Sequence, residues 1–145
     1  MGDVVSLTAV LACAWFAGAA LYINLVEHPA RLSCGTELAA RQWAPSYKRA
    51  TVMQASLAVA ATLAGAVRWL QTGRPAWLCG AIAIFAVVPV TLVVIFPTNK
   101  RLLEPGRDPG SPETGRLLES WGRLHAIRSI LSVVACILYA WAAIH

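Results

Sequence analysis

The residues with the clearest chemical potential lie on the last hydrophobic segment of the chain. Trp121, His125 and Arg128 are separated by four and three residues, so an α-helix places them on one face. Histidine is the commonest proton acceptor in enzymes, and arginine stabilises negative charge that develops during a reaction. This face therefore predicts a site that removes a proton and stabilises the resulting anion.

A second polar group occurs where the first hydrophobic segment ends. Asn24 precedes Glu27 and His28 by three and four residues, which predicts roughly one helical face. Glu27 is the expected carboxylate partner of Arg128, because a charge at the membrane boundary requires compensation. The alternative is that Arg128 extends to lipid headgroups, Glu27 only neutralises it, and the histidines are hydrogen-bonded interfacial residues.

The two middle segments add candidates at the same side of the membrane. Tyr47, Thr51 and Gln54 form one stripe at the start of the second segment, and Asn99 follows the end of the third. If the four segments alternate in direction, these side chains converge with those of the first and fourth segments. The convergence predicts one pocket that opens from one side of the bilayer.

A metal site is the weaker interpretation of these residues. Glu27, His28 and His125 match the ligand types of a non-haem iron site, but two adjacent residues diverge by about 100° on a regular helix. No paired ligand spacing of the His-x-x-x-His or Cys-x-x-Cys kind occurs, and no glycine-rich phosphate loop is present. We therefore expect no metal site and no bound cofactor.

The composition dictates the elements that must position these residues. Of 145 residues, 58% are hydrophobic and only 13% are charged, too few to cover a soluble domain. Uncharged segments occupy residues 4–26, 50–67, 75–97 and 129–144, and about 20 helical residues cross a bilayer core. The prediction is an all-α polytopic membrane protein, a single domain over residues 1–145. It is a four-transmembrane-helix bundle with spans near 4–26, 50–70, 76–97 and 117–144 and an interfacial helix at 36–47.

The basic residues report topology. Ten of the 12 Lys and Arg residues lie in stretches 27–49 and 98–128, and two lie on the opposite side. The positive-inside rule then predicts a multi-pass protein of the cell membrane with both termini outside the cytoplasm. The net charge of +5 is spread over loops rather than gathered on one soluble face, so nucleic acid is excluded as a partner.

The positions of the prolines predict an irregularity in the third helix and a short internal repeat. Pro89 lies inside the third span, where it predicts a kink or a break because proline cannot donate a backbone hydrogen bond. Trp43 and Tyr47 enter the second helix as Trp121 and His125 enter the fourth, each after a helix that ends near a proline. This pattern predicts two matched hairpins.

Several short motifs together resemble one family. They are Glu27-His28-Pro29, Trp43 with Tyr47 and Arg49, Pro97-Thr98-Asn99 followed by Leu102, and Trp121 with His125 and Arg128. In this combination, which covers nearly the whole chain, the sequence is similar to the anthrone oxygenase-like family of small four-helix membrane proteins. The resemblance implies oxidation of an anthrone to an anthraquinone by molecular oxygen without a bound cofactor.

The resemblance and the residue chemistry together predict the roles of the site residues. His125 or His28 removes the benzylic proton, and Arg128 with Asn99 or Tyr47 stabilises the enolate oxygen. Glu27 orients a histidine or balances Arg128. The substrate is expected to contact Trp121, Asn24, Arg49 and Gln54.

The expected partners follow from a lipophilic substrate in a bilayer. They are membrane lipid, a lipophilic small molecule of the polycyclic phenol class, molecular oxygen and further copies of the chain in a homo-oligomer. The competing hypothesis is a non-catalytic membrane protein whose polar cluster binds a lipid or quinone headgroup, or an accessory subunit of a membrane complex.

Overall fold

The computed structural model describes residues 2–145, and this part of the chain is helical without a β-strand. Four helices make up the fold: α1 (Gly2–Ser33), α2 (Thr36–Thr72), α3 (Pro75–Leu102) and α4 (Pro112–Ile144). Each helix is long and apolar enough to cross a membrane. The predicted all-α, four-helix membrane architecture is confirmed, and the chain is a multi-pass membrane protein.

The helices begin and end where the local sequence interrupts regular hydrogen bonding. Gly35 and Gly73 adopt φ angles of 90° and 68°, in the left-handed region that favours glycine. Pro112 occupies the first turn of α4, where its missing N–H leaves no carbonyl unpaired. The Ser111 hydroxyl caps the same helix by accepting a hydrogen bond from the Thr114 N–H at 3.2 Å.

The predicted interfacial helix over residues 36–47 is helical but is not a separate element. It is the first part of α2, which continues through Tyr47, Lys48 and Arg49 without interruption. Pro45 lies inside this segment but does not end the helix, and extending an existing helix costs less than nucleating a new one. The charges that suggested a boundary lie at exposed positions of one long helix.

The four helices form a ring in which α1 and α3 each pack against both α2 and α4. Small residues on α2, among them Ala61 and Gly65, allow the close approach. Tyr139 of α4 fills the space against Gly65 and Gly80, and its hydroxyl donates to the Ala61 carbonyl at 2.8 Å. We call this region, on the side of the chain termini, the apolar end.

The outer surface of the ring is apolar. Large hydrophobic side chains that are more than half exposed occur on every helix, including Trp15, Val59, Val93 and Ile137. Such a surface is stable against lipid and unfavourable against water. It is the surface expected of a bundle whose helices all face the bilayer.

Two of the helices contain a wider turn shortly before a proline. In α1 the π-turn Ile23–Glu27 precedes Pro29, and in α3 the π-turn Thr91–Ile95 precedes Pro97. Each is closed by a backbone hydrogen bond that spans five residues instead of four. A proline ring displaces the carbonyl four residues before it, which favours a local widening of the helix. The matched placement agrees with the predicted repeat.

The third helix is interrupted a second time, near its middle. Regular α-helical bonding breaks at Ala86, three residues before Pro89. Because Pro89 has no N–H, the Phe85 carbonyl lacks its usual helical donor. This is the break predicted from the position of Pro89. With two interruptions, α3 is less regular than α1, which has one.

Candidate active site

At the end of the bundle opposite the termini, side chains of α1, α2 and α4 surround a small cavity of about 10 Å³. A cavity of this size holds about one water molecule. Five of the predicted site residues line it: Tyr47, Gln54, Trp121, His125 and Arg128. Arg31, Ser46 and Thr51 complete its polar wall. We call this region the polar end.

His125 is buried and is held by a hydrogen bond to α1. The Asn24 Nδ2 donates to the Gly122 carbonyl at 2.8 Å, so the Oδ1 of the same amide acts as an acceptor. The His125 Nδ1 lies 2.7 Å from that Oδ1 and therefore carries the proton. The Ser129 hydroxyl donates to the same oxygen at 2.6 Å. The lone pair on the His125 Nε2 is left free to accept a proton.

Both histidines of the polar end pack against Trp121. Its indole lies 4.8 Å from the His125 ring and 5.0 Å from the His28 ring, measured between centroids. The His28 Nε2 donates to the Leu118 carbonyl at 2.9 Å. A β-carbon at Gly122 would lie 2.6 Å from the His28 Cδ2. Only glycine at that position lets His28 approach α4 this closely.

A second aromatic pair on α2 mirrors Trp121 and His125. The Trp43 and Tyr47 rings stack at 5.0 Å with an interplanar angle of 6°. The Trp43 and Trp121 rings are nearly perpendicular with their centroids 5.7 Å apart, so the two pairs form one cluster. In each of α2 and α4, two aromatic rings four residues apart thus pack together, in agreement with the predicted repeat.

Glu27 does not pair with Arg128, and that prediction was wrong. Its carboxylate forms an ion pair with Arg31. The same oxygen accepts hydrogen bonds from the Ser46 hydroxyl at 2.8 Å and from the Gln42 amide at 3.0 Å. Glu27 therefore joins the end of α1 to α2 rather than to α4.

The π-turn explains why Glu27 faces away from its neighbours. Within Ile23–Glu27 the helix turns through a smaller angle per residue than an α-helix does. Asn24 and His28 consequently both contact α4, whereas Glu27 points to α2. Asn24 and His28 therefore share a face, as predicted, and Glu27 does not.

Arg128 is a buried cation, 8% exposed, and it belongs to no ion pair within residues 2–145. Its Nη2 donates to the Gln54 Oε1 at 2.6 Å, and its guanidinium lies 5.5 Å from the centre of the Phe16 ring. In the described part of the chain, the buried Arg128 Nε and Gln54 Nε2 have no hydrogen-bond acceptor. This arrangement attracts an oxygen that carries negative charge.

Five predicted residues do not line the cavity. Asn24, Glu27 and His28 make the contacts around it described above, whereas Arg49 and Asn99 do not. Arg49 is exposed on α2. Asn99 is buried, but it lines a different cavity, of about 400 Å³, at the end of α3. Neither takes part in the hydrogen bonds around His125.

Three residues of the polar end were not singled out by the sequence. Arg31 follows Glu27 by four residues and Ser129 follows His125 by four, a spacing that places each beside a predicted residue. That spacing was the available signal. Ser46 gives no comparable signal, because its contact with Glu27 joins two helices.

No group of three His, Cys, Asp or Glu side chains able to hold a metal ion occurs within residues 2–145. His28 and His125 each use one ring nitrogen in a hydrogen bond to the protein. Both rings are thereby oriented by protein groups.

Comparison with known proteins identifies the relatives of this chain. The family model described as anthrone oxygenase matches residues 43–138, which is more than half of the sequence. The chain belongs to the anthrone oxygenase family. The match includes Tyr47, Gln54, Trp121, His125 and Arg128, and the resemblance inferred from the motifs is thus confirmed.

Two curated members of the anthrone oxygenase family match almost the full length. Anthrone oxygenase tpcL of Aspergillus fumigatus is 27% identical over 141 residues, covering 90% of this chain and 88% of that protein. Anthrone oxygenase AgnL2 of Paecilomyces divaricatus is 30% identical over 148 residues, covering 90% of each. No solved structure matches this chain. The relatives support an oxidoreductase of the oxygenase type in a membrane-spanning fold.

Proposed function

We propose that this protein is a membrane oxygenase that acts on a lipophilic, anthrone-like polycyclic phenol without a bound cofactor. Membership of the anthrone oxygenase family supports the reaction class. The observation that carries the mechanism is the hydrogen bond between the Asn24 Oδ1 and the His125 Nδ1. It leaves the Nε2 as a proton acceptor in the same cavity as Arg128.

In this mechanism the substrate is activated as a carbon acid. The His125 Nε2 removes a proton from the CH₂ group opposite the carbonyl, and the negative charge spreads onto the carbonyl oxygen. Arg128 stabilises that oxygen, with the Tyr47 hydroxyl as a second donor. Asn24 and Trp121 act as positioning residues that hold the imidazole.

The reaction with oxygen then balances without an external reductant. The carbanion forms a C–O bond with O₂, and the proton held by His125 passes to the outer oxygen to give a hydroperoxide. His125 next removes the second proton from the same carbon, the O–O bond breaks, and the carbonyl forms. The released hydroxide takes up that proton as water. One oxygen atom ends in the quinone and the other in water.

Histidine substitutions test the assignment of the base. In lipid nanodiscs supplied with anthrone, we expect His125→Ala to slow quinone formation about 10²–10⁴-fold. His28→Ala should have a smaller effect, because the Nε2 of His28 donates to Leu118. His145→Ala is the matched control, since His145 is exposed at the C-terminus.

The measurements are oxygen uptake and quinone absorbance, corrected for spontaneous oxidation of anthrone. Equal losses in the His28 and His125 variants would contradict a single base. Stoichiometric metal that disappears together with activity in either variant would favour a metal-dependent oxidase. A wild-type protein that forms no quinone and copurifies with phospholipid would favour the headgroup-binding hypothesis.

A further inference from the structure

A second cavity, the α2–α3 groove, lies beside the candidate active site. It has a volume of about 180 Å³ and mostly apolar walls. The α2 wall includes Ala55 and Ala58, the α3 wall includes Val88 and Leu92, and Phe16 contributes from α1. Ala55, Val88 and Leu92 are also exposed on the outside of the bundle. The groove therefore opens sideways into the membrane.

The groove and the active-site cavity share three lining residues, Thr51, Gln54 and Arg128. Two of these are joined by a hydrogen bond, which the Arg128 Nη2 donates to the Gln54 Oε1 at 2.6 Å. The cavity beside His125, about 10 Å³, is too small for a polycyclic ring system, whereas the groove is an order of magnitude larger. Of the two cavities that Arg128 lines, only the groove has room for the rings of a polycyclic molecule.

The inner end of the groove selects the kind of molecule that fits. Gln54 is 1% exposed and Arg128 is 8% exposed, and each has a buried nitrogen without an acceptor in the described residues. An oxygen with negative charge satisfies these donors and compensates the cation. A lipid acyl chain offers no such oxygen. The best occupant is therefore an apolar ring system that carries one enolate or phenolate oxygen.

The α3 wall of the groove is also the least regular part of the bundle. It lies between the break at Ala86 and the end of the π-turn Thr91–Ile95. A wall with fewer regular helical hydrogen bonds moves outward more easily than an uninterrupted helix does. Entry of a flat molecule between α2 and α3 thus requires little disruption of backbone bonding.

We propose that the α2–α3 groove is the membrane-side entrance and binding site for a polycyclic phenol. One outer ring lies between the two helices, and Gln54 is the gate that moves aside so that the central ring places its oxygen at Arg128 and its CH₂ group at His125. The identity of the occupant rests on the proposed oxygenase function. Its binding is measurable separately from its turnover.

The test fills the mouth of the groove from the lipid side. Ala55→Trp places an indole in the groove, and Val59→Trp, one turn along α2 at an exposed position outside the groove, is the matched control. Two quantities are measured in nanodiscs: kcat/KM for anthrone, and the Kd of a stable hydroxyanthraquinone by equilibrium dialysis. Because a bulky group in an occupied site costs roughly tenfold or more in affinity, we expect at least that loss for Ala55→Trp. Val59→Trp should match the wild type.

The Kd and kcat/KM measurements test binding in the groove separately from the oxygenase reaction. A wild type that binds the hydroxyanthraquinone without oxidising anthrone, with binding lost only in Ala55→Trp, supports the groove and overturns the proposed function. Equal Kd and kcat/KM in Ala55→Trp and the wild type overturn the groove while the oxygenase function stands. Equal losses in both tryptophan variants also overturn it, because they show a general effect of bulk on α2. A wild type that neither binds nor oxidises overturns both proposals.

Discussion

The two ends of the bundle differ in how many buried polar groups they leave unpaired. At the apolar end the Tyr139 hydroxyl is paired with the Ala61 carbonyl, and the Trp77 indole N–H is a buried donor without a partner in residues 2–145. The Arg68 Nε is a second unpaired nitrogen there. At the polar end such nitrogens are more numerous, and they belong to His28, Arg31, Trp43, Gln54, Trp121 and Arg128. The polar end therefore holds more unsatisfied donors than the apolar end, and one of them belongs to the buried cation Arg128.

This contrast indicates that one end of the bundle stabilises the fold and that the other is suited to bind or transform a ligand. Close contact around Gly65 and Gly80 fixes the helices at the apolar end. The unpaired donors at Arg128 and Gln54 cost stability, which is tolerated at sites that bind or transform a ligand. The same four helices thus hold a packed region and an unsatisfied one.

The largest expected effect lies at the apolar end, where Tyr139 leaves no free space beside Gly65. Gly65→Val adds a side chain where even a β-carbon would overlap the Tyr139 hydroxyl, so we expect destabilisation of about 3 kcal/mol and loss of most folded protein. Gly18→Val is the control, because nothing lies within 4 Å of a β-carbon built at Gly18. Thermal unfolding in detergent gives the comparison. Equal Tm values for the two variants would show that the close packing is not required.

A smaller effect on stability, with a large effect on turnover, is expected at the polar end. Arg128→Gln removes a cation that has no carboxylate partner in the described residues, so the Tm should stay the same or rise. Quinone formation should fall about 10²–10³-fold. Arg31→Gln is the matched change, since it leaves the Glu27 carboxylate uncompensated and should cost about 2 kcal/mol of stability. If Arg128→Gln unfolds the protein and Arg31→Gln does not, the assigned roles of the two arginines are reversed.

The smallest effect on turnover is expected from cysteines that are introduced only to show which side of the membrane each end of the bundle faces. The Lys and Arg distribution predicts that a membrane-impermeant thiol reagent reaches Gln71→Cys from outside the cell and Gly110→Cys only after the membrane is opened. Both positions are exposed, so turnover should be unchanged. Mass spectrometry of the labelled peptides separates them from the native cysteines. Labelling from the opposite sides would reverse the predicted orientation, and labelling of both from one side would contradict four spans.

The face of α4 was predictable because that helix is regular. Trp121, His125 and Arg128 follow an uninterrupted α-helix, so the 3.6-residue period gives their direction correctly. The four spans were predictable for a similar reason, since length and apolar composition suffice to identify them. These predictions depend on local geometry alone.

The remaining contacts depend on how each helix is rotated about its axis, which spacing alone does not determine. Arg49 and Asn99 were placed near the site by their position along the chain, but Arg49 faces outward and Asn99 lines another cavity. Glu27 was placed on one face with Asn24 and His28 because a regular helix was assumed through Ile23–Glu27. A sequence period cannot anticipate a turn that changes the period itself.

Each π-turn is equivalent to one residue inserted into an α-helix. Deleting one residue from Ile23–Glu27 would therefore restore ordinary helical bonding and leave the helix on both sides of the turn in nearly its present orientation. His28 would keep its hydrogen bond to Leu118, whereas a deletion within the regular helix Gly2–Tyr22 would rotate all residues on one side of it by about 100°. The π-turn is thus a place where the chain can lose one residue without changing how either end of the four-helix frame packs.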